Sequence, residues 1–453
     1  MEEKRKKAVQ TEEKVVLNDY EFSPVPDAKK HTWRDQVFVW LGVGFCLTAF
    51  TLGGQIALGL GFWPTVAAVL IGGVILTVVG CFVGVIGVRS GLSSTVSSRF
   101  TFGTYGAIIF GLINAFCNFG WFGYQCTFFG SSVTSMFRLA AGIEVNMTVC
   151  IVVGGLLMMI TAIIGYKGIQ TLSKFGVPLL FLLIIFGVVK TFTIVPPGEV
   201  FSAPPVAPIS FASAISLMVG SFIVGVSIVQ DFTRYSKTAK DSTVGIILGF
   251  TIGYPAVVIC GAIFTCAFQT NDLTDVLINV LGFSYVAAFI IVVATWTTNH
   301  NNIYQSVLGL TNACHGIVKL PRWITTAICG IIATVLGAIG MIDWLVPFLN
   351  ILSVVVPPIT GAMLADFYLL KNADNYKFER MNQIPKARLD TSVGAIVGCL
   401  VGFCMNEPPV GFGVPFMVQF STVVPTALVA MACSVVVVLI VNRLMGRKTG
   451  RTA

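Results

Sequence analysis

The chain has 453 residues, a net charge of +8, 55% hydrophobic residues and only 11% charged ones. Soluble domains carry about 25% charged residues, so an ordinary soluble enzyme is excluded and a protein that lives in lipid is implied. The surplus of positive charge is no nucleic-acid signature, because the basic residues gather in short loops and at the termini.

Residues 1–35 are charged and lack the apolar core of a signal peptide, so they read as a cytosolic arm. About a dozen apolar stretches follow, each long enough to cross a bilayer. They cover residues 37–61, 64–88, 104–136, 147–165, 169–194, 209–229, 243–269, 280–310, 323–342, 344–370, 391–405 and 423–443. The stretch 104–136 is longer than a straight crossing needs, which predicts a tilt. With the N-terminus in the cytosol, alternate loops hold Arg89 and Arg99, Lys167 and Lys174, Arg234 to Lys240, Lys319 and Arg322, and Lys371 to Arg388. The opposite loops hold Glu144, Glu199, Asp272, Asp275, Asp343 and Glu407, with little basic beyond Arg138 and Lys190. This positive-inside pattern predicts an even number of spans with both termini cytosolic.

Twelve cysteines are scattered through apolar spans without a C-x-x-C pair, and three histidines are too dispersed for a metal cage. Neither disulfides nor structural zinc are expected. No charged residue stands in the middle of a span; Asp35, Lys190, Asp231 and Asp366 fall at or near helix ends. Proton-driven carriers usually place a carboxylate or histidine at the midplane. A driving ion here is therefore expected to be held by neutral oxygens.

Span one reads LTAFTLGGQIALG, with Gly53 and Gly54 followed by Gln55. In span three, Asn114, Asn118, Trp121 and Gln125 are spaced by four, three and four, which puts them on one helix face. Uncharged amides in lipid need partners. An indole among carboxamides suits a small, neutral, planar, nitrogen-rich solute, although the same amides also serve as glue between helices. Span six reads SLMVGSFIVGVS, with Gly220 and Gly225 around Ser221 and Phe222. Matched glycine interruptions in spans one and six are the pattern of an inverted-repeat transporter whose broken helices free backbone groups; close packing through small residues gives the same sequence. In span eight, Ala294, Thr297 and Thr298 have i, i+3, i+4 spacing, placing one carbonyl and two hydroxyls on one side. With carbonyls freed near Thr48 to Thr51, those of Phe50 and Thr51 among them, they would form an all-oxygen cage for a hard cation. Thr hydroxyls bonding back to their own helix is the alternative. Asn299, beside the threonines, is placed to bridge cation and substrate.

Four passages carry a resemblance: DYEFSPVPDAKKHTWRDQVFVWLG, GLSSTVSSRFTFGTYGA, NFGWFGYQ and WTTNHNNIY, supported by GSFIVG and QDFTRYSK. In them, from about Asp19 to the end of span ten, the chain resembles the nucleobase–cation symporter-1 family, and within it the cytosine and purine-cytosine permeases. The resemblance implies an all-α polytopic membrane protein of about 12 transmembrane helices. Its LeuT-like fold would have one five-helix repeat in 36–194 and its inverted copy in 209–370. Two additional helices in 391–443 and a cytosolic tail in 444–453 complete it.

It further implies a heterocycle site midway through the membrane. Trp121 matches the tryptophan that stacks on the base, and Phe222 the aromatic that closes the other face. Gln125 matches an amide used by hydantoin-type carriers. Asn118 stands where cytosine permeases tend to have glutamine, and Val224 where they offer serine. Peptide groups near Gly220 and Ser221, with Asn299, would read the edge of the base. Ala294, Thr297 and Thr298 match the family's sodium ligands. The implied function is import of a nucleobase, cytosine foremost, by sodium symport and alternating access at the plasma membrane. Another heterocycle, or proton coupling, stays open. The spans offer no nucleophile–base set for an enzyme and no filter-like loop for a channel. Beyond the co-transported cation no cofactor is expected, nor a nucleic acid or obligate protein partner.

Overall fold

The computed structural model describes residues 20, 23–164, 167–314 and 320–446; most of the N-terminal arm and the tail beyond Gly446 lie outside them. Among the described residues the structure is helical, apart from one isolated bridge between His31 and Ser236. Helices α1 (Trp33–Gly44), α2 (Leu47–Leu60), α3 (Phe62–Ser90), α4 (Ser94–Ala141), α5 (Met147–Ile164), α6 (Lys167–Ile194) and α7 (Phe211–Ser227) come first. There follow α8 (Ala239–Phe268), α9 (Ser284–Cys314), α10 (Arg322–Ala338), α11 (Leu345–Leu369), α12 (Leu389–Cys404) and α13 (Thr426–Leu444). Each expected apolar stretch is mostly helical, and among the described residues seven helices are long and apolar enough to cross a membrane. Their lipid-facing sides stay apolar, as at Phe82, Ile109, Phe116 and Phe186.

The first span is broken, but not where the glycine pair predicts. The chain leaves the helix at Phe45 and Cys46, with Cys46 extended at φ −125° and ψ 151°. Gly53 and Gly54 sit inside α2 and serve the close approach of α8. A Cβ on Gly53 would meet the Val258 carbonyl, and one on Gly261 would meet the Phe50 carbonyl. The Phe50 and Thr51 carbonyls therefore lie within an unbroken helix rather than at a break. Span six departs from expectation in the same way. α7 runs through Gly220 and Gly225, and the interruption comes at Ile228 and Val229, before a last turn Gln230–Thr233. Gly220 lets the Leu349 carbonyl of α11 press against α7. In both spans the glycines thin the helix for a neighbour, the packing role that small residues have in membranes.

α4 bends at Gly103, with φ 75° and ψ 176°. Only glycine adopts this without strain, and a Cβ there would lie 2.7 Å from the Ala387 Cα. The bend separates a short helix, residues 94–102, from the spanning part that begins at 104. Three parts of the protein grip this short helix. Asp231, from the turn after α7, accepts from the Ser94 backbone N–H at 2.7 Å and from its hydroxyl at 2.9 Å. Asn312 of α9 donates to the Thr95 hydroxyl at 2.8 Å. At the other end Arg388 donates to the Phe100 carbonyl at 3.0 Å while pairing with Asp366 at 2.7 Å and Asp390 at 2.7 Å. Tyr376 donates to Asp366 at 2.6 Å, and Thr101 bonds the same phenol at 2.7 Å. Burial opposes the charge on Arg388, but Asp366 and Asp390 outweigh it and hold the guanidinium above the ordinary arginine range.

α4 and α9 pack along much of their length, crossing where Gly111 and Gly309 face each other backbone to backbone. That crossing fixes the two helices that carry the polar stripe and the threonine pair. In α8 a π turn, Leu248–Gly253, precedes Pro255, whose missing N–H leaves the ladder one donor short. Thr251 in that turn bonds Thr77 of α3 at 2.8 Å.

Candidate functional site

The stripe on α4 divides by depth. Asn114 donates to the Gln305 carbonyl of α9 at 3.4 Å, a bond between helices. Asn118 spends its amide on the Asn114 carbonyl at 2.8 Å and on the Asn114 side-chain oxygen at 3.1 Å. Trp121 is only partly buried and meets Phe348 of α11 edge to face, with centroids 5.3 Å apart at 76°. Gln125 is 1% exposed, and its Oε1 has no hydrogen-bond partner among the described residues. A buried amide oxygen left unpaired costs about 1–3 kcal/mol, so this end of the stripe is an acceptor awaiting a donor.

Thr297 and Thr298 both donate to the Ala294 carbonyl, at 3.0 and 2.9 Å. Three oxygens thus converge at one place on α9. This is the back-bond to their own helix that the spacing left open as the alternative; it uses each hydroxyl's proton and leaves its lone pairs outward. Thr51 of α2 bonds the Leu47 carbonyl at 3.3 Å and neighbours the Tyr124 phenol of α4. Among the described residues no cluster of His, Cys, Asp and Glu is built to hold a metal ion.

Asn299 does not bridge the two sets. It is fully buried, and its amide donates to the Phe122 carbonyl at 3.1 Å, while its oxygen accepts from Asn302 at 3.1 Å. The side chain is spent on joining α9 to α4. Ser221 donates to the Met218 carbonyl at 2.7 Å and pairs with the Tyr254 hydroxyl at 2.8 Å. Phe222 lies against Phe250 at 5.0 Å and Tyr254 at 4.6 Å. Trp121 and Phe222 join one apolar core, but among the described residues no ring contact links them.

Residues 24–388 match the family described as permeases for cytosine/purines, uracil, thiamine and allantoin. The cytosine permease of Escherichia coli (strain K12) is 31% identical over 353 residues, 78% of this chain and 81% of the relative. The chain belongs to the nucleobase–cation symport-1 family of permeases. A hydantoin permease of Microbacterium maritypicum is 25% identical over 370 residues, covering 74% of this chain and 72% of that protein. The fold is that of Mhp1. An inward-facing Mhp1 structure matches with a TM-score of 0.79 at 17% identity, covering 94% of each chain. A closed Mhp1 with bromovinylhydantoin bound matches at 0.74 and 19% identity, covering 94% of this chain and 96% of that one. The permease is thus an all-helical integral membrane transporter rather than an enzyme.

Sequence reasoning passed over three residues that bear on the site. Phe348 covers the Trp121 indole from α11, and nothing in its apolar surroundings marks it. Tyr254 reaches Ser221 from α8, a pairing that spacing cannot reveal. His300 stands within WTTNHNNIY, so a titratable side chain does lie inside a span. Its Nε2 is 2.8 Å from the Thr161 hydroxyl of α5, which also accepts from the Trp296 indole at 3.1 Å. Thr161 also lies 2.9 Å from the Met158 carbonyl, and when it gives its proton there the Nε2–H tautomer of His300 is the donor.

Proposed function

We propose that this permease imports cytosine together with sodium across the plasma membrane, by alternating access, with both termini cytosolic. In this reading residues 36–194 and 209–370 are the inverted repeats and 391–443 the two added helices. The base stacks on the open part of the Trp121 indole, with Phe222 as the opposite wall and Asn118, Gly220 and Ser221 along its edge. The observation that carries the reading is the Gln125 Oε1, buried and unpaired on the same face as that indole. The 4-amino group of cytosine supplies the donor this oxygen lacks, whereas uracil offers an oxygen at that position. A buried acceptor left unpaired by the wrong base is a strong source of discrimination.

Sodium is assigned to the Ala294 carbonyl and the Thr297 and Thr298 hydroxyls. Oxygen ligands suit a hard alkali cation. Phe50 and Thr51, expected to complete the cage, contribute only if α2 unwinds further. Asn299 acts from behind, holding α9 against α4. Cation and base stabilise each other's binding through the shared α4–α9 frame, an effect of typically about 1–3 kcal/mol.

The test is thermal stabilisation of the purified protein by cytosine, uracil, adenine, hypoxanthine, hydroxymethylpyrimidine, allantoin and hydantoin, each with and without sodium. Cytosine is expected to raise the unfolding midpoint most, and more so in sodium. Stabilisation by another heterocycle alone replaces the substrate, and uptake that follows a proton gradient while ignoring sodium replaces the ion.

A further inference from the structure

Phe222 is held on several sides. Its ring is 8% exposed and lies between Phe250 at 5.0 Å and Tyr254 at 4.6 Å, tilted 46° to the latter. On its own helix, Gly225 makes room for it, since a Cβ there would lie 3.0 Å from the ring. Of these neighbours Tyr254 also bonds the side chain of the residue before Phe222, the Ser221 hydroxyl. Ser221 lies within reach of the Met218 carbonyl at 2.7 Å, and the arrangement that satisfies both hydroxyls has the Tyr254 phenol donate in their 2.8 Å pair. Tyr254 also packs against the end of α1, with its Cβ and Cα 3.6 and 3.7 Å from where a Gly44 Cβ would stand. Gly44 is the last residue before the break at Phe45 and Cys46. One tyrosine therefore touches the aromatic wall, the residue before it, and the broken part of span one. Its own place is set by the π turn just before it, which Thr77 pins to α3.

We propose that Tyr254 is a positioning residue for the heterocycle site. It fixes the Phe222 ring and the Ser221 side chain relative to the break in span one, without touching substrate. This rests on the assignment of Phe222 as a wall of the site. The hydroxyl pair is the specific element, because the ring contact alone would survive in Tyr254→Phe. Without the phenolic proton, Ser221 loses its donor and the turn bearing Phe222 loses its link to α8.

The experiment measures cytosine uptake in proteoliposomes and cytosine-induced thermal stabilisation for wild type, Tyr254→Phe, Ser221→Ala and the double variant. Tyr254→Phe is expected to raise KM about fivefold, the scale of one buried hydroxyl pair, with the maximal rate within about twofold of wild type. Ser221→Ala should do the same, and the double variant should be no worse than either single one, since one interaction is lost in all three. An unchanged KM in Tyr254→Phe overturns the proposal. So does a fall in maximal rate at constant KM, the signature of a merely structural role, and so do effects that multiply in the double variant. The wild-type arm separates the two readings. If cytosine does not stabilise the wild type, the substrate assignment fails by itself and the series is run with the heterocycle that does. If no heterocycle stabilises it, both fail.

Discussion

Gly309→Ala probes the frame on which the whole site is mounted. A Cβ on Gly309 would stand 2.5 Å from the Gly111 carbonyl oxygen and 3.1 Å from the Ala115 nitrogen. Both are backbone atoms, so neither can swing aside. Ordinary contact begins at 3.4 Å, so α4 and α9 must part by about 0.9 Å, the difference from the present 2.5 Å. The nearby Asn114–Gln305 bond is already 3.4 Å long and does not survive that separation. Overpacking costs about 1–3 kcal/mol and the lost bond about 1 kcal/mol, together about 2–4 kcal/mol. The assay is the unfolding midpoint of the purified protein by tryptophan fluorescence, with Gly198→Ala as control because nothing lies within 4 Å of that position. Sodium-dependent uptake is measured beside it, since Trp121 rides on α4 and Thr298 on α9. A Gly309→Ala protein as stable and as active as the control would refute the close-crossing argument.

Trp121→Ala should weaken cytosine binding about 5- to 150-fold, the equivalent of the roughly 1–3 kcal/mol that a stacked ring contributes, without abolishing expression; equilibrium binding of labelled cytosine checks it. Thr298→Ala should raise the sodium concentration for half-maximal uptake about tenfold, the scale of one bond to a charged group, as read from uptake titrated with sodium. Arg388→Met should lower stability by about 3–5 kcal/mol, since it strands the buried Asp366 and Asp390 without their counter-ion. Arg388→Lys should recover only part, because an ammonium cannot make the paired contacts to Asp390. Thermal unfolding of both variants checks this.

The spans were legible because lipid imposes a long apolar run on every crossing, and the boundaries at 62 and 90 and the start at 147 fall within a few residues of expectation. The start of span three at 104 was legible too, for Gly103 ends the short helix before it. The breaks were not. Glycine marks a helix that is thin as readily as one that is interrupted, and Gly53 and Gly220 are of the first kind. Nothing in FCLT or SIVQ advertises the true interruptions, which depend on what packs around them. The face carrying Asn114, Asn118, Trp121 and Gln125 could be drawn from spacing, but not its division. Asn114 is bonded because α9 passes beside it, whereas the Gln125 Oε1 meets no donor among the described residues. The convergence of Thr297 and Thr298 on one carbonyl follows from local helix geometry alone, which is why spacing found it. The partner of Asn299 was not legible either, since its amide meets the Phe122 carbonyl across the helix pair.

Ser94 and Thr95 are neighbours in the chain, yet the first is held by Asp231 after α7 and the second by Asn312 of α9. Consecutive Cα atoms stand 3.8 Å apart. While both grips last, the two helices stay tied at that end to neighbouring residues of one short helix. Any rocking of α7 against α9 must then open widest at the far end, with Ser94 and Thr95 as its fulcrum.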